Sequence, residues 1–187
     1  MLTSTERAAL LRLARDTIAA HLAGSAPPPP VDLSDPGAHS GAFVTLHAGG
    51  ELRGCIGHPG SSKPLDDVVG VCAVAAATDD PRFPSLTAAE LPDVEVEISV
   101  LTPIRPVDDV GEIEVGRDGL IVQDGFRRGL LLPQVATEHK WDRDTFLSHT
   151  CLKAGLRPDA WRTGARISRF QAEVFSERSE GIGPLSR

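Results

Sequence analysis

Ala42-Phe43-Val44-Thr45-Leu46-His47-Ala48-Gly49-Gly50-Glu51-Leu52-Arg53-Gly54-Cys55-Ile56 is the stretch that decides the fold. Two extended runs, 42–47 and 51–56, flank a pair of glycines. A two-residue hairpin turn needs positive φ angles, which glycine adopts without steric cost, so the stretch predicts an antiparallel hairpin. With Gly49-Gly50 as the turn, Ala48 faces Glu51. Counting outward sets Leu46 opposite Arg53 and Val44 opposite Cys55. Side chains alternate along a strand, so Arg53 and Cys55 share one face. Leu52, Gly54 and Ile56 take the other, and His47 with them.

Upstream, Thr3-x-x-Glu6 reads as a capping box. Leu10, Leu11, Ala14, Ile18 and Leu22 follow on one helical face, and Gly24 ends the helix. Pro27 to Pro30 is a stiff, extended connector. Downstream, residues 57–62 read as a loop. A helix is expected from near Ser62, with Pro64 in its first turn and Asp66-Asp67 near its positive end. Leu65, Val68, Val69, Cys72, Ala73 and Ala76 form its buried face, and it stops before Asp79-Asp80-Pro81.

Val94, Val96, Ile98 and Val100 alternate with Glu95, Glu97 and Ser99, the pattern of a strand with one polar face. Short strands are expected at 112–115, 119–123 and 127–132, and helices at 134–139 and about 143–154. The second of these helices has Asp142 as N-cap and Gly155 just past its end. Residues 165–175 form a last strand, and a polar tail from Ser176 is expected to be mobile. No repeat is visible, and there is no regular βαβ alternation. The fold class is therefore α+β, with mixed or antiparallel sheets and packed helices.

Charge excludes some functions. Nineteen Lys and Arg stand against 26 Asp and Glu, a net charge of −7. Arg127-Arg128 and Arg162/Arg166/Arg169 are short and interrupted. Nucleic acids and anionic membranes both demand a sustained basic surface, so neither is an expected partner. The one apolar run, Val68 to Ala77, is too short to span a bilayer. The start, Met1-Leu2-Thr3-Ser4-Thr5-Glu6-Arg7, has no basic-then-apolar leader, so the cytoplasm is the expected location. Three cysteines without a C-x-x-C pair argue for free thiols.

Candidate chemistry centres on Cys55. On the hairpin register above, Arg53 lies about 7 Å away on the same face and favours a thiolate there. The N-terminus of the helix expected near Ser62 would add to this if it pointed back at the thiol. His58 is a candidate base or a loop surface residue. The competing reading is that Cys55 is a small buried hydrophobe and that Gly54 and Gly57 permit tight packing. Cys72 and Cys151 fall on apolar helix faces, and His149 is out of helical phase with Cys151. No phosphate-binding glycine loop appears, and no histidines, cysteines or carboxylates have metal-ligand spacing, so neither a cofactor nor a metal is expected.

Leu52-Arg53-Gly54-Cys55-Ile56-Gly57 resembles the signature hexapeptide of the AMMECR domain family. Other segments agree in order: Gly41 to Leu46, Asp80-Pro81-Arg82-Phe83-Pro84-Ser85-Leu86, Val96 to Thr102, Gly129 to Ala136, and Cys151 to Leu156. The likeness runs from the first helix to about Phe175 and is greatest to the prokaryotic AmmeMemoRadiSam system protein A branch. It implies one domain over 1–175 made of two α+β parts, the larger carrying the hexapeptide. It also implies Memo-like and radical SAM proteins as partners. It implies no particular reaction. Cys55 and Arg53 are the residues expected to carry any catalysis. Leu52, Gly54, Ile56, Gly57, His58, Asp80, Arg82 and Phe83 are expected around them in a binding role. Three roles remain open: an enzyme or accessory factor using the Cys55/Arg53 site, a non-catalytic module presenting the hexapeptide to a partner protein, or a structural role alone.

Overall fold

Thr3 caps the first helix as its sequence predicts. Its Oγ1 accepts the Glu6 amide at 3.2 Å, and the Glu6 carboxylate accepts the Thr3 amide at 2.8 Å. The helix, α1, runs Ser4–Ala23, and Gly24 closes it in the left-handed conformation. The Glu6 carboxylate also takes the Ser34 amide and hydroxyl at 2.8 and 2.7 Å. It therefore ties the segment that follows the proline-rich connector to the helix start.

The computed structural model describes residues 1–39 and 41–182, and it divides into two units. The first is Met1–Val100 with the segment from Glu173 onward; the second is Leu101–Ala172. Both are helix-and-antiparallel-sheet units, so the α+β class stands as the sequence indicates.

In the first unit, β1 (Gly41–Ala48) and β2 (Glu51–Pro59) form the hairpin, with Gly49 at φ 60° and Gly50 at φ 88°. The turn residues pair as expected: Ala48 lies opposite Glu51 and His47 opposite Leu52. The register then slips by one, with Leu46 opposite Gly54, Thr45 opposite Cys55 and Val44 opposite Ile56. Arg53 is the extra residue of a β-bulge on β2. The expected pairs Val44–Cys55 and Leu46–Arg53 are thereby corrected. Residues 57–59 are also strand rather than loop.

On its other side β1 pairs with β3 (Val94–Leu101), and β3 neighbours β7 (Arg166–Ser176). Helix α2 (Leu65–Thr78) begins three residues later than Ser62, because Pro64 is extended and serves as its N-cap. Val69, Cys72, Ala73 and Ala76 of α2, Leu10, Leu11 and Ile18 of α1, and Val44, Leu46, Val96 and Ile98 of the sheet form one core. The helices thus cover one face of the sheet. Thr45, His47, Glu95 and Glu97 alternate onto the opposite face.

In the second unit, β4 (Arg105–Pro106), β5 (Asp118–Asp124), β6 (Arg127–Leu131) and the N-terminal part of β7 pair antiparallel. Helices α3 (Pro133–Glu138) and α4 (Arg143–Lys153) match the sequence reading, with Asp142 capping α4 through the Thr145 amide at 2.8 Å. The strand expected at 112–115 is absent. Val110–Glu112 is a 3-10 turn, and the Asp118 amide closes a further turn on the Glu114 carbonyl at 2.9 Å. Ile113, Leu120, Val122, Phe146, Leu147 and Cys151 fill this unit's core.

Past Ser176, Glu177 is 2% exposed and receives the Arg15 guanidinium and the Val96 amide. The part of the expected tail beyond 182 lies outside the described residues. No helix among the described residues is long and apolar enough to cross a membrane.

The Glu6 junction sets a pH dependence. Hydrogen bonds from Ser34 and then Thr3 lower the Glu6 carboxyl from its ordinary 4.5 to about 2. A depressed carboxylate stabilises the fold above its unfolded value, and that stability disappears as pH falls toward the folded value. Wild-type Tm should therefore drop between pH 4.5 and about 2 more steeply than that of Glu6→Gln, measured by circular dichroism. Parallel profiles would show that Glu6 is not the linked group.

Candidate functional site

The hexapeptide lies on β2, an edge strand, because among the described residues β1 is its one neighbour in the sheet order. An edge strand leaves alternate amides and carbonyls unpaired. At Cys55 these groups are answered by the turn that follows α2. The Asp80 carboxylate accepts the Cys55 amide at 2.9 Å, and the Arg82 guanidinium donates to the Cys55 carbonyl at 3.5 Å. Asp80 in turn takes the Arg82 amide at 3.1 Å and its guanidinium at 2.9 and 2.7 Å. The carboxylate is 3% exposed. The Arg82 hydrogen bond, followed by the Cys55 and Arg82 amides, holds it well below the usual carboxylate range against the opposing effect of burial. Phe83 sits beside this turn, with the Arg82 guanidinium 5.5 Å from its ring centre.

Gly54 explains how the turn reaches the strand. A Cβ there would lie 2.1 Å from the Ala76 carbonyl oxygen, so only glycine lets the last turn of α2 rest on β2. A Cβ on Gly57 would strike the Phe43 ring at 2.2 Å. Ile56 packs against the first core, and Leu52 is 38% exposed near the hairpin end.

Arg53 does not stand on Cys55's account. Its guanidinium bonds to Glu90 at 3.2 and 3.4 Å and to the Pro84 carbonyl at 3.0 Å. The bulge also removes the alternation that was to align Arg53 with Cys55. Nor does the expected helix terminus reach the thiol. The end of α2 beside the hexapeptide is the C-terminal one, through Ala76 and Asp80, which carries the negative end of the helix dipole. His58 belongs to β2 and alternates onto the face opposite Cys55.

The structure assembles a different set around the thiol. Thr45 lies opposite Cys55 and its hydroxyl donates to Sγ at 3.3 Å. Glu97 of β3 lies opposite Thr45 on the other side. The slipped register also brings His47, two residues along β1, onto the face of Cys55. The half-buried thiol thus sits at the edge of a polar sheet face with a hydroxyl, carboxylates and an imidazole on it. Thr45 and His47 escape a reading that counts pairs outward from the turn. Glu90 had a visible signal, because Thr87-x-x-Glu90 is a capping-box pattern and Glu90 accepts the Thr87 amide at 2.9 Å.

The other two thiols are interior, as expected. Burial pushes Cys72 up to about 11, and burial also raises Cys151. Among the described residues, no group of three or more histidines, cysteines or carboxylates is placed to hold a metal ion.

A family model described as AMMECR1 matches residues 11–175, which include the hairpin, the Asp80 turn and both units. The chain belongs to the AMMECR1 family. Protein Mbar_A1807 of Methanosarcina barkeri is 47% identical over 188 residues, covering 95% of this chain and 93% of that protein. Protein MJ0810 of Methanocaldococcus jannaschii is 49% identical over 146 residues, 73% of each chain. Among solved structures, the uncharacterised protein PH0010 from Pyrococcus horikoshii superposes with a TM-score of 0.84 at 40% identity. That likeness covers 100% of this chain and 97% of the other. The AMMECR1 fold is therefore set by structure as well as by sequence.

In this AMMECR1 chain the Asp80 turn is what anchors the hexapeptide edge. Asp80→Ala should raise the hydrogen-exchange rate of the Cys55 amide at least tenfold, read by NMR on folded protein, because a charge-assisted hydrogen bond is lost. An unchanged rate would show that Asp80 does not hold the edge.

Proposed function

We propose that this AMMECR1-family protein is a binding module, and that its working surface is the outer face of the first unit's sheet, around Cys55 and Thr45. One observation carries this reading. The polar groups of the hexapeptide that could serve chemistry are committed inside the protein. Arg53 is held by Glu90 and Pro84, and the Cys55 amide and carbonyl are held by Asp80 and Arg82. Such a motif makes a rigid face, and a rigid face lowers the entropy cost of docking a partner. The cavity of about 530 Å³ in this unit is lined by residues of α1, α2 and Pro27 to Pro30, not by the hexapeptide. A Memo-like or radical SAM protein, the company that the family resemblance implies, is the partner proposed.

A second reading keeps Cys55 as a nucleophile. The Thr45 hydroxyl on Sγ and His47 on the same face favour it. His47 would have to close on the thiol to act as its base.

Titration calorimetry against the Memo-like and radical SAM proteins of the same organism separates the two. The binding reading expects saturable binding to one of them. It also expects at least tenfold weakening by Thr45→Arg, with an unchanged circular dichroism spectrum, and less than twofold change by Cys55→Ala. Binding that ignores Thr45→Arg, or no binding to either protein, would overturn it. Loss of binding in Cys55→Ala alone would move the function to the thiol.

A further inference from the structure

The second unit carries a separate feature that the hexapeptide does not explain. Across the β4–β7 pair, Arg105 lies directly opposite Arg169. Like charges directly opposed on a sheet destabilise it. Arg105 is exposed and has no ion-pair partner among the described residues. Beside these two stands Arg117, and the three guanidiniums line one cavity of about 340 Å³ with Thr102 and Gln171. That volume suits a small molecule.

The cavity is built rather than incidental. Asp118 anchors it from beneath, at 1% exposure. Its carboxylate takes the Glu114 amide at 2.9 Å and the Arg117 guanidinium at 3.1 and 2.7 Å, and it lies 3.5 Å from Arg169. Burial pushes the Asp118 carboxyl up, but the bonds from Arg117 and Glu114 and the charge of Arg169 outweigh it and leave it lowered. Arg169 is further fixed by the Glu112 carbonyl and carboxylate, both at 2.9 Å. Arg117 also pairs with Glu114, and Arg169 with Glu112 and Asp118, so two guanidiniums are held in place by carboxylates. Arg105 is the guanidinium of the lining that faces them without a carboxylate partner among the described residues.

We infer that this cavity is an anion site for a phosphate group, either free phosphate or the phosphate of a small organic monoester. An anion seated at Arg105, beside Arg117 and Arg169, supplies the counter-charge that Arg105 lacks and turns the Arg105–Arg169 repulsion into shared binding. Guanidinium forks match tetrahedral oxyanions in geometry. An extended nucleic acid does not suit a bounded cavity on an acidic protein.

The test uses the full chain, with inorganic phosphate and phenyl phosphate as probes, in calorimetry and thermal unfolding against sodium chloride of equal ionic strength. Wild type should bind phosphate saturably and gain Tm with it. Arg105→Gln should weaken binding about tenfold or more, as loss of one charge-assisted contact requires. In chloride alone the same variant should melt at or above the wild-type temperature, because the repulsion is gone. A residue that merely supported the fold would lower it. Tighter binding of phenyl phosphate assigns the site to organic monoesters, and equal binding assigns it to phosphate itself; either upholds the inference. No saturable binding of either probe, or an Arg105→Gln affinity equal to wild type, overturns it.

Discussion

The carboxylate of Asp80 on the main chain of Cys55 is the constraint from which the rest of the site follows. An edge strand with open amides and carbonyls invites pairing with other chains. Here the strand is closed in three ways: the Asp80–Arg82 turn covers Cys55, the bulge at Arg53 breaks the ladder, and Pro59 removes a donor near the far end. The turn reaches the strand because Gly54 has no side chain to keep α2 away. With the edge fixed, Cys55 has a single setting beside Thr45. The hexapeptide is therefore a joint between a helix end and a sheet edge before it is anything else.

The two units carry different chemistry. The first places a thiol, a hydroxyl, an imidazole and carboxylates on an outer sheet face. The second gathers guanidiniums around one buried carboxylate. Neither arrangement copies the other.

Much of the fold was legible because it is local. The Thr3–Glu6 box, the buried face of α2 and the Asp142 cap each depend on residues within a few positions and appear as read; the alternation of β3 holds over 94–98 and ends at Ser99, which is buried where a wet face was expected. The site was less legible. Turn chemistry at Gly49-Gly50 specifies the first two pairs and nothing beyond them. The bulge is imposed from outside the hairpin, by the need to seat Gly54 under α2 and to send Arg53 to Glu90. One slipped residue then replaced Val44 by Thr45 opposite the thiol and moved His47 to its face. Helix polarity was also open to sequence, since both ends of α2 lie a short loop from β2 or the segment after it. The opposition of Arg105 and Arg169 comes from a two-residue strand among prolines, which leaves no periodic trace.

Arg53 belongs to the scaffold of the hexapeptide, held by Glu90 and Pro84, and not to the chemistry of Cys55. The most direct measurement is the alkylation rate of Cys55 against pH, resolved for each cysteine by mass spectrometry, in wild type and in Arg53→Ala. The pH profiles are expected to superimpose, with Arg53→Ala altering stability instead. A clear displacement of the Cys55 profile by Arg53→Ala, in protein that remains folded, would contradict that scaffold role and restore the arginine as a partner of the thiol.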